Sequence, residues 1–240
     1  MKKLIIFFIL LLPILVLGWQ NIELQVLNYP EFETLEPDSL NAIFMRTDSL
    51  LQINFLTGGL FRNTPSDSTL VFYYNSLNFH YYIPTDYGFK YHPDSLYFQI
   101  MAANIKTNIL NTVENIVVKA DSMKVGIFAL YSPDYMVLNE VNSKVKFNYD
   151  IFKVAEQQTE ILSSCDYIIM FSNLTKFIDE DIVSKLPINA VISFDYREQR
   201  DELLNNRKTY FYSVVGKEIG RLKLIYEKGK IKARWQEEAF

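Results

Sequence analysis

Beyond residue 20 the chain reads as short apolar runs separated by polar or turn-forming sequence. Residues 22–27, 51–56, 98–103, 116–120, 125–131, 167–171 and 190–194 are strand-length runs rich in β-branched and aromatic side chains, the pattern of buried strands. Residues 150–164 carry Ile151, Val154, Ile161 and Leu162 at near-helical spacing and predict a helix leading into the strand at Tyr167. A second helix is predicted over 179–186, stopped by Pro187, and a third over 68–77. Strands 209–215 and 219–227 close the chain around a turn at Val215-Gly216-Lys217, and Glu227-Lys228-Gly229-Lys230 turns back a final short strand. Strands and helices in this order predict α/β layers, with helices outside buried sheets. No repeat or long Gly/Pro/Ser linker divides residues 19–240, which therefore read as a single domain.

The first 18 residues follow a different rule. Met1-Lys2-Lys3 is a basic start, Leu4 to Leu17 is apolar apart from Pro13, and Gly18 precedes polar sequence. That is the layout of a secretory signal. The run of about 14 residues is short against the roughly 20 that a spanning helix needs. The expectation is export to the periplasm or the extracellular space, with a mature start near Trp19. An uncleaved segment 1–18 would instead be a membrane anchor, and the chain's only one.

Composition narrows the chemistry. The 240 residues are 49% hydrophobic and 22% charged, which suits a folded domain and not a disordered one. Formal net charge is −4, and loss of Lys2 and Lys3 with the leader takes it to about −6, so no broad basic surface is available for nucleic acid. The basic stretch 223–234 alternates with Leu222, Leu224 and Ile231 and reads as the solvated face of a hairpin. Cys165 is the one cysteine, which leaves no internal disulfide and no CxxC site; without a nearby histidine it reads as a small apolar side chain. His80, between Phe79 and Tyr81, reads as a partly buried and satisfied histidine, and His92-Pro93-Asp94-Ser95 as a helix start. No phosphate-binding glycine loop exists, Gly58-Gly59 being too short. Tyr73, Tyr74, Tyr81, Tyr82, Tyr87, Tyr91 and Tyr97 crowd one region, most of them expected in the core, the rest free to line a binding surface.

Seven segments carry a more specific pattern. They are Ile22 to Glu31; Phe55-Leu56-Thr57-Gly58-Gly59-Leu60-Phe61; Tyr74 to Gly88-Phe89; Ala102-Ala103-Asn104-Ile105; Lys124 to Leu130 with Ser132-Pro133; Asp166 to Leu174; and Asn189 to Arg197. In this order they resemble the metallophosphoesterase domain of the 5′-nucleotidase (calcineurin-like phosphoesterase) family, over nearly all of residues 22–227. The resemblance implies a four-layer α/β/β/α metallophosphatase-like sandwich. It puts Tyr29 and Glu31 at an Asp-x-His metal pair and Gly59 at the metal-bridging aspartate. Asp86 and Tyr87 replace a metal-binding asparagine and the catalytic histidine. Asn173 replaces a metal histidine, and Asp195 and Arg197 replace two more, while Asn104 keeps the family's asparagine.

In that register every metal or catalytic position has changed. Enzymes of this kind need two cations to generate hydroxide and clamp the phosphate. A glycine at the bridging position offers no ligand, and Arg197 puts a cation where a metal should sit. The resemblance also ends before the family's nucleoside-gripping domain, so no base pocket is expected. The expectation is a catalytically inactive domain, without metal or cofactor, that binds or scaffolds a protein, glycan or small molecule. The alternative is a phosphoester hydrolase with a rebuilt oxygen-donor site, or with Glu31, Asp86 or Asp195 as general acid or base. Against it, Asp and Asn are common at strand ends for turn reasons, and an ion pair of Arg197 with Asp195 or Asp86 is the simpler use of those charges.

Overall fold

The computed structural model describes residues 21–28, 51–58, 79–84, 99–107, 111–121, 123–134, 145–194, 203–204, 209–214 and 218–239. In chain order these form β1 (Asn21–Asn28), β2 (Leu51–Gly58), β3 (Tyr81–Pro84), β4 (Gln99–Met101), β5 (Ile105–Thr107), β6 (Thr112–Val113), β7 (Asn115–Ala120), β8 (Met123–Leu130) and β9 (Val145–Phe147). There follow α1 (Ile151–Ile161), β10 (Tyr167–Ser172), α2 (Lys176–Lys185), β11 (Ala190–Ser193), β12 (Leu203–Leu204), β13 (Thr209–Ser213), β14 (Glu218–Glu227) and β15 (Lys230–Ala239). One sheet has the order β15-β14-β1-β2-β3-β4-β6, a second the order β12-β13-β11-β10-β8-β7, and β5 pairs with β9 in a small ribbon.

Strand alternation explains how two cores share one strand. In β8, Ile127 and Ala129 join the core between the sheets, while Phe128 and Leu130 join the core beneath the helices. β10 does the same, with Ile169 and Phe171 on one side and Ile168 and Met170 on the other. Burial on both faces is why these strands read as continuous apolar runs. Phe171 meets Phe55 of the first sheet at 4.7 Å between ring centroids and stacks on Phe194 at 5.6 Å. The helices close the outer face of the second sheet through Ile151, Val154, Ala155, Ile182 and Val183. The architecture is an α/β sandwich of two sheets with outer helices. The helix expected over 68–77 lies outside the described residues.

The two described helices fall where the pattern put them, with one shifted start. Asp150 caps α1, its carboxylate accepting the Lys153 N–H at 3.2 Å. α2 begins at Lys176 and not at 179, with Thr175 at the cap. Asp179 lies inside the first turn because its carboxylate is turned to the core, where it accepts the Ser172 hydroxyl at 2.6 Å.

The end of the chain departs further from expectation. The strands at 209–215 and 219–227 belong to different sheets: β13 lies parallel to β11, and β14 lies antiparallel to β1. The last strand is ten residues long, not short, and pairs with β14 along its whole length. Lys228 and Gly229 both take positive φ (51° and 76°), the two-residue turn whose twist suits a hairpin. Leu222 and Leu224 are buried while Lys232 and Arg234 are exposed, so the basic stretch is a hairpin face as expected. Gly220 has no room for a Cβ, because the Trp235 indole lies directly over it. Trp235 then stacks on Tyr212 at 4.7 Å and ties β15 to the second sheet.

Candidate functional site

β1, β2, β3, β4 and β6 are mutually parallel, as are β8, β10, β11 and β13. The carboxyl ends of β4 and β8 meet, since Ala103 N–H donates to the Ala129 carbonyl at 2.9 Å. Both sheets therefore end at one edge, the place where parallel α/β sheets build ligand sites. Every sequence-derived candidate follows one of these strand ends in the chain. Tyr29 and Glu31 follow β1, Gly59 follows β2, Asp86 and Tyr87 follow β3, Asn173 follows β10, and Asp195 and Arg197 follow β11. Of these, Asn173 is within the described residues; Tyr29, Glu31, Gly59, Asp86, Tyr87, Asp195 and Arg197 lie outside them.

What the structure does place at this edge is a set of amide clamps. Asn104, 1% exposed, donates from Nδ2 to the Tyr131 carbonyl at 2.8 Å and accepts the Tyr131 N–H on Oδ1 at 3.0 Å. Its own carbonyl accepts the Asn148 N–H at 2.8 Å. The Tyr131 hydroxyl donates to the Met101 carbonyl at 2.7 Å, and burial holds that phenol well above its ordinary pKa, so it stays a neutral donor. Asn173, half-buried, accepts the Ser132 N–H on Oδ1 at 2.6 Å. The Ser172 hydroxyl beside it accepts the Leu174 N–H at 3.0 Å while donating to Asp179. Two asparagines thus fasten the end of β8, one to β4 and the other to β10.

That arrangement bears on the metal positions that the resemblance implies. Asn173 Oδ1 accepts the short Ser132 N–H bond, and a neutral amide oxygen is a weaker ligand than imidazole for a transition metal.

The remaining candidates are accounted for by packing and hydrogen bonding. His80 is satisfied as expected, its Nδ1 accepting the Asn54 N–H at 3.1 Å, but the residue is exposed, not half-buried. Partial desolvation lowers its pKa from 6.5. Cys165 packs beside Leu162 over Gly126, and burial, with Asp166 nearby, raises its thiol pKa. Tyr82 is core, and Tyr81 stacks on Phe55 at 5.6 Å; the other five tyrosines of the cluster, and His92, lie outside the described residues. Among the described residues no three His, Cys, Asp or Glu are grouped to hold a metal.

One polar group escaped the sequence reading. Glu23 and Gln25 on β1 are buried, with Gln25 Nε2 donating to Glu23 Oε1 at 2.7 Å and Arg221 on β14 lying 3.6 Å from the same oxygen. Their signal was present as two polar residues alternating with Ile22, Leu24 and Val26, but an alternating strand ordinarily turns such residues to water.

Comparison with known proteins separates fold from sequence. No family profile matches the chain, and no curated protein matches it in sequence. Solved structures do match. A Haemophilus influenzae NAD nucleotidase superposes with a TM-score of 0.67 at 15% identity, over 90% of this chain and 55% of that one. A Staphylococcus aureus protein assigned as a 5′-nucleotidase gives 0.67 at 16%, over 90% and 54%. The 5′-nucleotidase precursor of Thermus thermophilus gives 0.64 at 15%, over the same shares. The chain has the calcineurin-like fold of 5′-nucleotidases and spans about half the length of these structures. Among the described residues no helix is long and apolar enough to cross a membrane; the apolar segment 1–18 lies outside them.

Proposed function

We propose that the chain is an exported, catalytically inactive 5′-nucleotidase-like domain that works by binding or scaffolding. The observation that carries this reading is the Asn173 carboxamide, which sits at a strand end where the resembling family has a metal histidine and accepts the Ser132 N–H at 2.6 Å. A position that would hold a cation is used to fasten β10 to β8. The residues aligned with the other metal positions support the reading by their chemistry. Tyr29, Gly59 and Arg197, with Tyr87 at the catalytic position, offer no imidazole and no bridging carboxylate. The carboxylates at the remaining positions, Glu31, Asp86 and Asp195, also replace imidazole or amide ligands. Monoester hydrolysis needs its barrier lowered by on the order of 20 kcal/mol, which such residues do not provide without metals.

The test is turnover of p-nitrophenyl phosphate, bis-p-nitrophenyl phosphate and AMP by the protein supplied in turn with Mn²⁺, Zn²⁺, Mg²⁺ and Ca²⁺. Rates at background in every condition are expected. Metal-dependent turnover abolished by Asp86→Ala or Asp195→Ala would overturn the reading in favour of a rebuilt oxygen-donor site.

A further inference from the structure

Among the described strands, β15 is the outermost of the first sheet. Its successive residues Gln236, Glu237 and Glu238 are all exposed, so both faces are open to solvent there. The two-residue turn makes Glu227–Lys230 the closing hydrogen-bonded pair of the hairpin. The backbone groups of Lys232, Arg234, Gln236 and Glu238 accordingly face β14, and those of Ile231, Ala233, Trp235 and Glu237 face away. A strand placed like this is a template for another strand.

The charge order along β15 selects which strand fits. Lys230, Lys232 and Arg234 fill its first half, and Glu237 and Glu238 its second. On a copy laid parallel and in register, like charges meet. On a copy laid antiparallel about Trp235, Lys232 faces Glu238, and the two-fold axis repeats that pair. In the same register the outward backbone groups match: Trp235 opposes its own copy, Ala233 opposes Glu237, and Ile231 opposes Ala239. Arg221 Nη2 holds Glu238 at 3.2 Å, which fixes the carboxylate's position on this face. Edge lysines ordinarily discourage pairing; an acidic half on the same strand gives them partners in one orientation. We propose that β15 pairs antiparallel with β15 of a second copy, joining the first sheets of two chains into one continuous sheet.

The test is the sedimentation of the full-length chain over a range of concentrations. A concentration-dependent dimer is expected. Ala233→Pro removes an outward N–H while leaving the pairing with β14 intact, and should give a monomer. Lys232→Glu and Glu238→Lys should each weaken dimerisation on the order of tenfold, because each sets two like-charge pairs across the axis. The double variant should recover the dimer. It keeps whatever each single change does to the hairpin contacts with Glu227 and Arg221, so recovery isolates the contact between copies. If Ala233→Pro fails to fold, the charge exchange decides alone. A monomer at all concentrations, a monomer that binds a different protein through β15, or an association indifferent to the charge exchange would overturn the proposal.

Discussion

The carboxyl ends of the parallel strands and the outer row of β1 both bury polar side chains, and they satisfy them to different degrees. At the strand ends, Asn104 matches both groups of its amide to both backbone groups of Tyr131. In the outer row, Gln25 spends its amide nitrogen on Glu23, while its buried Oε1 has no hydrogen-bond partner among the described residues. A fully matched amide specifies one geometry; an incompletely matched row adds a desolvation cost without a matching gain. The strand ends, the edge where parallel sheets build ligand sites, are thus the better-determined of the two.

Substitutions should separate the regions in order of effect. Asn104→Leu strips the buried N–H and carbonyl of Tyr131 of their partner and should cost about 3 kcal/mol in urea unfolding. A cost under about 1 kcal/mol would mean that the clamp is incidental. Asn173→Ala removes a half-buried acceptor and should cost about 1 kcal/mol, and Asn173→His should lose as much without gaining a metal.

His80 adds a pH dependence. Its pKa is lowered on folding from 6.5, so the unfolded chain takes up the proton first as the pH falls. The His80 contribution is therefore present above about pH 6.5 and is lost as the pH falls through the folded value. The difference between the protein and His80→Gln, followed from pH 8 to 5, should shrink in that window. No such change would place the imidazole in water. The smallest effect is expected at Gln25→Met, which removes the unpartnered oxygen together with the amide that donates to Glu23, a gain and a loss that oppose each other while Glu23 stays beside Arg221. Stability within about 0.5 kcal/mol of the parent is expected, and a loss above about 2 kcal/mol would show that the row is better satisfied than its geometry implies.

The sheets were legible because β8, β10 and β11 are apolar on both faces, a pattern that water-facing strands do not show. Their order in the chain, with the seven segments, also led to the sandwich fold. The start of α2 was not legible, since the pattern begins at Asp179, whose carboxylate is drawn inward by Ser172 inside a helix that already started at Lys176. Nor was the sheet assignment of β13 and β14, because Val215-Gly216-Lys217 reads as a turn without saying which sheet the chain enters next. β15 was read as short because its alternating charges resemble solvent-exposed sequence, whereas Trp235 on its other face holds it in place. At the site, chain order alone put the candidates after strand ends. The clamps were not visible, because Asn104 and Tyr131 are 27 residues apart and Asn173 and Ser132 are 41 apart, so no local pattern joins them.

The proposal that this strand edge binds no catalytic metal is tested most directly by calorimetric titration of the purified protein with Mn²⁺ and Zn²⁺, with Asn173→Ala, Asp86→Ala and Asp195→Ala alongside. No saturable heat is expected from the parent or any variant, with unfolding stability lowered in Asn173→Ala. Stoichiometric binding by the parent that disappears in Asp86→Ala or Asp195→Ala would contradict it.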